Sequence, residues 1–251
     1  MKNGMLKHCI WFIGGIFALF FIWGITYFAV DNPLLVPSVK DCVLAFFQLI
    51  KQKFFWQSLA HTLLRVGVAF LFSLIFALGL SIIAYVSEPI RSFLTPIITF
   101  LRSLPVLAVL LILWLWTSSG VAPIVVASMS LFPILYNSIL TTLLQTDKTL
   151  LEMSDVYQVP LKKRIVMLYL PIGFGYIFKE CVAGLTFALK LVISAEVLTS
   201  AFLSLGSMMQ EANTPEDIAV RFALVAVTFF LSIMIEILGK WLEDSIERRY
   251  F

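Results

Sequence analysis

Residues 60–86 read AHTLLRVGVAFLFSLIFALGLSIIAYV, an apolar run in which Arg65 is the single arginine, lysine or carboxylate. The run is longer than the roughly 20 residues that cross the ~30 Å hydrocarbon core of a bilayer. Only helices and closed barrels satisfy every backbone hydrogen bond in hydrocarbon. Because apolar and polar residues do not alternate along this run, it predicts a membrane-spanning helix and not a strand of a barrel.

The composition extends this prediction to the whole chain. Of the 251 residues, 61% are hydrophobic and 13% are charged, whereas about a quarter of a soluble domain is charged. Too few polar side chains are present to cover a surface that faces water, so we expect an all-α integral membrane protein solvated by membrane lipid. The net charge is only +3, and the basic residues lie in separate gaps. Nucleic acid is therefore not an expected partner.

Other apolar runs of similar length give the predicted organisation. We expect one domain, residues 1–251, that crosses the membrane six times. The segment from Asp31 to Ser58 is amphipathic and aromatic and is expected to lie along the membrane surface. The longest polar stretch, Gln145 to Arg164, separates the fourth and fifth spans. The predicted spans are residues 9–30, 60–86, 93–116, 121–144, 173–200 and 219–241.

The distribution of basic residues between the loops predicts the orientation. Six spans place both termini on one side, and the loops on that side carry the larger set of lysines and arginines, which marks the cytoplasmic face. Both termini and the loop 145–164 are therefore expected in the cytoplasm, and residues 31–58 and 201–218 outside. The richer set is Lys2, Lys7, Arg91, Lys148, Lys162, Lys163, Arg164, Lys240, Arg248 and Arg249; the poorer set is Lys40, Lys51, Lys53 and Arg221, with Arg65 near that boundary.

The loop between the fourth and fifth spans carries the most informative motif. It continues into the fifth span as LLEMSDVYQVPLKKRIVMLYLPIGFGYIFKECVAGL over residues 150–185. The pattern predicts a short helix that ends at Pro160, because proline removes a backbone donor and clashes with the preceding turn. Glu152 and Asp155 lie near the start of this helix, where its dipole favours negative charge.

This loop resembles the EAA loop of ABC importer permeases, in which E-A-A is followed by three residues, a glycine, nine residues and I-x-L-P. Glu152, Met153 and Ser154 fall on E-A-A. Gln158 falls on the glycine, and residues 168–171, LYLP, fall on I-x-L-P. Both alanines and the glycine are replaced although the spacing is kept. Because Gln158 in place of the glycine affects how closely the helix can approach its ATPase, we expect a dedicated or divergent ATPase partner.

Further segments resemble the nitrate/sulfonate/taurine-type branch of these permeases. They are PLLVPSVKDCVLAF at 33–46, FLRSLPVLAVLLILWLW at 100–116, FALKLVISAEVLTS at 187–200 and SLGSMMQEA at 204–212. The resemblance implies a type I ABC importer permease fold whose cytoplasmic coupling helix, in the loop 145–171, docks into a cleft on an ATPase. The implied coupling residues are Glu152, Met153, Ser154, Asp155, Gln158, Leu170 and Pro171.

The resemblance also implies a function and a set of partners. The chain would be the permease subunit of an importer in the bacterial cytoplasmic (inner) membrane, forming the path for a small polar or anionic solute. The implied partners are two ABC ATPase subunits, a second permease and an extracytoplasmic solute-binding protein. The second permease is expected to be another copy of this chain, in a homodimer, with a related permease as the alternative. The sequence lacks the P-loop GxxxxGK[ST], so we expect no enzymatic activity and no cofactor or metal here, with ATP and Mg bound by the ATPase.

Six charged residues are candidates for positions inside the membrane: Arg102, Lys179, Glu180, Lys190, Glu196 and Glu236. Lys179 and Glu180 lie near the cytoplasmic end of their span and Glu236 pairs at i,i+4 with Lys240, so these three are interpreted as structural. An ionisable side chain at the bilayer centre costs at least about 2.5 kcal/mol, so Arg102, Lys190 and Glu196 each require a reason to be there. Two interpretations remain open for them: lining of the translocation path, or a buried pair between helices or subunits. The alternative function is a stand-alone ion-coupled secondary transporter, which would use such charges as an ion site.

Overall fold

The computed structural model describes residues 14, 15, 18, 21–30, 32, 35–145, 153, 156–160, 163, 170–211 and 217–250, with the backbone alone at 170–174 and 246–250. Within these ranges the chain is helical and contains no strand, as predicted. The helices are numbered in chain order. They are α1 (Phe21–Val30), α2 (Val39–Lys51), α3 (Lys53–Val86), α4 (Glu88–Ser103), α5 (Val106–Trp116), α6 (Ala122–Leu144), α7 (Leu170–Thr199), α8 (Leu205–Glu211) and α9 (Ile218–Tyr250).

Four of the described helices are long and apolar enough to cross a membrane. They are α3, α6, the Gly175–Thr199 part of α7 and the Ile218–Ser245 part of α9. A fifth crossing results if α4 and α5 form one broken span. Several crossings make this a multi-pass membrane protein, as predicted. Of the predicted first span, residues 9–30, the structure describes residues 14, 15, 18 and 21–30, and the helix α1 at 21–30 is shorter than a full crossing, so the number six stays a prediction.

Residues 93–116, predicted as one span, belong to two helices that meet at an angle of 92°. The break has a local cause in Leu104 and Pro105. A proline excludes the residue before it from helical geometry, and Leu104 is extended, with φ −67° and ψ 132°. The backbone therefore leaves α4 at Ser103 and starts α5 at Val106, which gives either a broken span or a re-entrant segment.

The chain forms two compact units. One comprises Met1–Trp56 and Met208–Val227, and the other comprises Gln57–Ser207 and Thr228–Phe251. The helices α3 and α9 each contribute residues to both units. The expectation of one domain over residues 1–251 stays a prediction.

The core of the larger unit is the packing of α6 against α7. Leu131 and Leu135 of α6 are fully buried and lie against Gly184 of α7, where an added Cβ would come within 3.0 Å of the Leu131 Cδ1. In lipid, helices associate through close packing and interhelical hydrogen bonds, which favours small residues at the contact. Gly184 is the residue that lets these two helices approach.

Hydrogen bonds between small polar residues also join α3 to α6. The Ser73 Oγ lies 2.8 Å from the Ala69 carbonyl of its own helix and 3.1 Å from the Ser128 carbonyl of α6. The Ser128 Oγ donates in turn to the Ile124 carbonyl at 2.8 Å. Both serines are buried, so their hydroxyl groups are satisfied without water.

In the smaller unit, α2 begins at a regular N-cap, because the Ser38 Oγ accepts a hydrogen bond from the Asp41 N–H at 3.1 Å. Its buried face is formed by Cys42, Ala45 and Leu49. Burial, with a smaller contribution from the neighbouring Asp41 carboxylate, raises the pKa of the Cys42 thiol from 9.0 to about 11. The thiol is therefore neutral at physiological pH and acts as a small apolar residue.

The contact at Gly184 predicts that Gly184→Val destabilises the larger unit. Both γ-methyl groups would collide with Leu131 and Leu135, and overpacking of this kind costs about 1–3 kcal/mol. The thermal midpoint of the detergent-solubilised protein measures the loss. Gly79→Val is the matched control, since a Cβ at this helical glycine of α3 has no neighbour within 4 Å. Equal effects of the two variants would contradict the proposed role of Gly184.

Candidate functional site

A buried carboxylate pairs with an arginine in the larger unit. Glu196 of α7 is 0% exposed, and its Oε1 accepts a hydrogen bond from the Arg65 Nη1 of α3 at 2.8 Å. The other oxygen, Oε2, accepts from the Thr62 Oγ1 at 2.9 Å and from the Gly206 N–H at 3.4 Å. Both carboxylate oxygens are thus hydrogen-bonded, the arrangement that a buried charge requires.

Arg65 also holds the turn that follows α7. Its Nη2 donates to the Phe202 carbonyl at 2.9 Å, and its Nη1 reaches the Leu203 carbonyl at 3.4 Å. In this turn Ser200 and Leu203 have φ values of 49° and 48°, a left-handed conformation that costs a non-glycine residue roughly 1–2 kcal/mol. The planar guanidinium offers several donors in one fixed geometry, so one side chain binds both the carboxylate and the strained turn.

The start of α8 is fixed against the same cluster. The Leu205 N–H donates to the Thr62 Oγ1 at 3.1 Å. A Cβ at Gly206 would overlap the Glu196 Cβ and lie 2.5 Å from the Val197 backbone nitrogen. Only glycine permits this approach, so Thr62, Arg65, Glu196 and Gly206 form one interlocked set, which we call the Arg65–Glu196 cluster.

The sequence allows two interpretations of Glu196: a residue that lines the translocation path, or one half of a buried pair. The structure shows Glu196 paired with Arg65 of a neighbouring helix. Arg102 and Lys190 do not belong to this pair; their side chains are exposed, Arg102 on α4 and Lys190 on α7. Reasoning from the sequence missed the partners of Glu196, Arg65 and Thr62. A signal was present, because Arg65 is the single charge in residues 60–86 and Thr62 lies three residues earlier, on the same helical face.

The loop between α6 and α7 is described only in part. Glu152, Ser154 and Asp155, predicted as coupling residues, lie outside the described residues, and the loop ends where α7 begins at Leu170, for which, as for Pro171, the backbone alone is described. Among the described loop residues, Met153, Val156 and Tyr157 are exposed, the last two by 79% and 75%.

A helical turn presents these side chains. The Tyr157 N–H donates to the Met153 carbonyl at 3.1 Å, which closes one turn, and the Lys163 N–H donates to the Pro160 carbonyl at 2.8 Å beyond it. We call Met153, Val156 and Tyr157 the loop turn. Its exposed apolar side chains are available to a partner.

Gln158 follows the loop turn and has φ 49°. This left-handed conformation favours glycine, which has no Cβ to clash. Gln158 falls where the EAA pattern has glycine, so the backbone keeps a conformation suited to glycine although the side chain has changed.

A second ion pair joins α7 to α9. The Lys179 Nζ lies 3.0 Å from the Glu243 Oε1, and the Glu243 side chain is nearly buried. Close to this pair in the chain, Gly239 packs directly on Val182. Among the described residues no group of three or more His, Cys, Asp or Glu side chains could hold a metal ion.

The apolar helices, with ion pairs between them, define a multi-pass membrane protein. The family model for the inner membrane component of binding-protein-dependent transport systems matches residues 75–251. The chain belongs to this family and is a permease subunit of an ABC importer. Membership implies an ATPase and a binding protein as partners.

The fold is similar to that of a solved transporter. Two inward-facing structures of the MetNI methionine ABC transporter, from a native and a selenomethionine-soaked crystal, each match with a TM-score of 0.67 and 16% sequence identity. The matches cover 76% and 77% of this chain and 96% of the MetNI chain in each case. At this identity the likeness concerns the fold alone. No curated protein matches the sequence.

The Arg65–Glu196 cluster predicts a non-additive response to substitution. Arg65→Met or Glu196→Leu alone leaves one buried group without its partner, which costs about 3–5 kcal/mol. The double variant should lose less than the sum, because neither charge remains buried. Free energies of unfolding in mixed micelles measure the coupling.

The exposed ion pair of α4 provides the control. The Arg91 Nη2 lies 3.7 Å from the Glu88 Oε1, and the glutamate is 82% exposed; such pairs contribute at most about 1 kcal/mol. Arg91→Met should therefore have little effect. Additive losses at Arg65 and Glu196 would show that the two residues do not stabilise the fold as a pair.

Proposed function

We propose that this permease subunit forms the translocation path for a small polar or anionic solute, which an external binding protein delivers and a separate ATPase drives across. The family match supports the importer assignment. The observation that carries the mechanical part of the proposal is the loop turn, three exposed apolar side chains on a short helical turn outside the described spans.

We propose the loop 145–171 as the coupling segment, with its helix docking into the ATPase. Apolar and aromatic side chains on a small protruding helix are typical anchors at protein interfaces. The left-handed residue Gln158 and the following Pro160 end the turn, so movement of the docked turn would be transmitted along the chain towards α7. The proposed coupling residues are Glu152, Met153, Ser154, Asp155, Gln158, Leu170 and Pro171.

We propose that two copies of this chain form a homodimer with two ATPases in the cytoplasm, in the bacterial inner membrane. Both termini would then be cytoplasmic, with six spans per copy. ATP and Mg would be bound by the ATPases and no cofactor by this chain.

We also propose that the chain belongs to the nitrate/sulfonate/taurine-type branch of these permeases. The resemblance of the segments at 33–46, 100–116, 187–200 and 204–212 to that branch supports this placement.

The ATPase proposal predicts that Tyr157→Ala weakens assembly. Loss of an anchoring aromatic side chain at an interface typically costs 2 kcal/mol or more, roughly 30-fold in affinity. Co-purification of the ATPase from the native membrane, followed by titration of the recovered ATPase onto the permease in nanodiscs, measures the effect.

Tyr176→Ala is the matched control for this experiment. Tyr176 is 55% exposed but lies on the membrane-spanning part of α7, so its removal should leave ATPase affinity unchanged. Undiminished assembly by the Tyr157 variant would remove the loop turn from the interface. Solute uptake in vesicles that lack any ATPase would instead favour an ion-coupled secondary transporter.

For the solute path we propose Arg102, Lys190 and Glu196. Arg102 and Lys190 are exposed within one copy of the chain, as side chains that line a path between two copies would be. Their positive charge favours an anionic solute. Glu196 would act at the end of the path through its pairing with Arg65 and not by direct contact with the solute.

Lys190→Ala is expected to reduce uptake of the solute several-fold while assembly with the ATPase is retained. The reason is loss of a cation along the path. Uptake into proteoliposomes measures it, with Lys53→Ala as a control because Lys53 is an exposed lysine at the start of α3. Full uptake by the Lys190 variant would remove this residue from the path.

A further inference from the structure

One helix of the smaller unit has two opposite apolar faces. The face of α2 formed by Cys42, Ala45 and Leu49 is buried. The opposite face exposes Leu44 by 51% and Phe47 by 58%. A helix that only packs on its own protein would present polar side chains outward, so the outer face requires an explanation.

Lysines bracket this outer face. At 100° per residue, Lys40, Leu44, Phe47 and Lys51 fall within an arc of roughly 60°, and the two lysines are about 16 Å apart along the helix axis. All four residues are exposed. We call these four residues the outer α2 face. Its pattern is a cation at each end and apolar side chains between them.

This pattern matches the chemistry of a phospholipid surface. The apolar side chains can enter the acyl boundary, while the long lysine side chains extend along it and place their ammonium groups among the phosphates. The nearest acid on the helix is Asp41, which lies about 100° from Lys40 around the axis and is bound to the Ser38 Oγ at 2.6 Å. Asp41 therefore does not neutralise the two lysines.

An aromatic residue marks the same boundary just after α2. Trp56 is 54% exposed, and its indole N–H donates to the Ile50 carbonyl at 2.8 Å. Tryptophan with one apolar face and a satisfied polar group is enriched at the level of the headgroups. The tryptophan and the two lysines thus support the same assignment by different chemistry.

We propose that the outer α2 face binds anionic phospholipid, with Leu44 and Phe47 in the acyl boundary and Lys40 and Lys51 on the headgroup phosphates. The site is separate from the loop turn and from the Arg65–Glu196 cluster. It anchors α2 to the bilayer surface and does not depend on ATPase, binding protein or transport.

The test places a fluorophore on the face. Cys9, Cys42 and Cys181 are replaced, and Phe47→Cys is labelled in the full-length protein, which is reconstituted with brominated phosphatidylglycerol or brominated phosphatidylcholine. Stronger quenching by phosphatidylglycerol is expected. Each of Lys40→Gln and Lys51→Gln should reduce this preference roughly fivefold, since a lysine near an anionic surface contributes about that factor.

Lys53→Gln is the matched control, because it removes the same charge from a position off the outer α2 face, and it should keep most of the preference. Equal quenching by both lipids would overturn the proposal by showing contact with lipid but no recognition of the headgroup. Quenching by aqueous iodide would show a face in water, open to a soluble partner. Protection from lipid and iodide alike would show a face covered by another copy of the chain.

Discussion

The structure depends on the need to keep an ionised group out of contact with lipid. Glu196 and Arg65 lie on the membrane-spanning helices α7 and α3, and neither could remain in hydrocarbon unpaired at acceptable cost. Their contact therefore fixes how α3 lies against the end of α7. Because the same guanidinium binds the Phe202 and Leu203 carbonyls, it fixes the turn into α8 as well. The need to pair Glu196 with Arg65 therefore fixes three features: the contact of α3 with the end of α7, the turn after α7, and the entry into α8.

The two charged residues of the Arg65–Glu196 cluster lie on opposite sides of the boundary of the family match. The matched residues begin at 75, so Glu196 lies inside the region that defines the family and Arg65 precedes it. The N-terminal part of the chain thus supplies the cation that satisfies a carboxylate of the family region. Gly206 and Thr62 complete the cluster. Gly206 lets the start of α8 approach Glu196 closely, and Thr62 donates its hydroxyl group to the carboxylate. Neither residue adds another charge to the membrane-spanning region.

The sequence predicted those features that depend on composition and local chemistry. Long apolar runs predicted helices in lipid. Residues 93–116 were predicted as one span, whereas α4 ends at Ser103, before Leu104 and Pro105. The angle of 92° between α4 and α5 was beyond prediction, because it depends on how both helices pack on α6. Likewise Glu196 was recognised as an unusual charge, but the choice of Arg65 over Lys190 or Arg102 depends on a contact between residues 131 positions apart. Spacing along the chain carries no information about such a contact.

Gln158 shows how a motif can be altered while its backbone role persists. The backbone between the loop turn and Pro160 is left-handed at Gln158, and glycine adopts that conformation without strain. Gln158 adopts it at φ 49°, and surrounding structure must hold it there at a cost of roughly 1–2 kcal/mol. A longer side chain at this place also adds polar groups beside Tyr157, at the surface proposed to meet the ATPase. If the loop turn docks on the ATPase as proposed, the glutamine changes the chemistry of that interface while the left-handed backbone is retained, which is the physical reason to expect a dedicated or divergent partner.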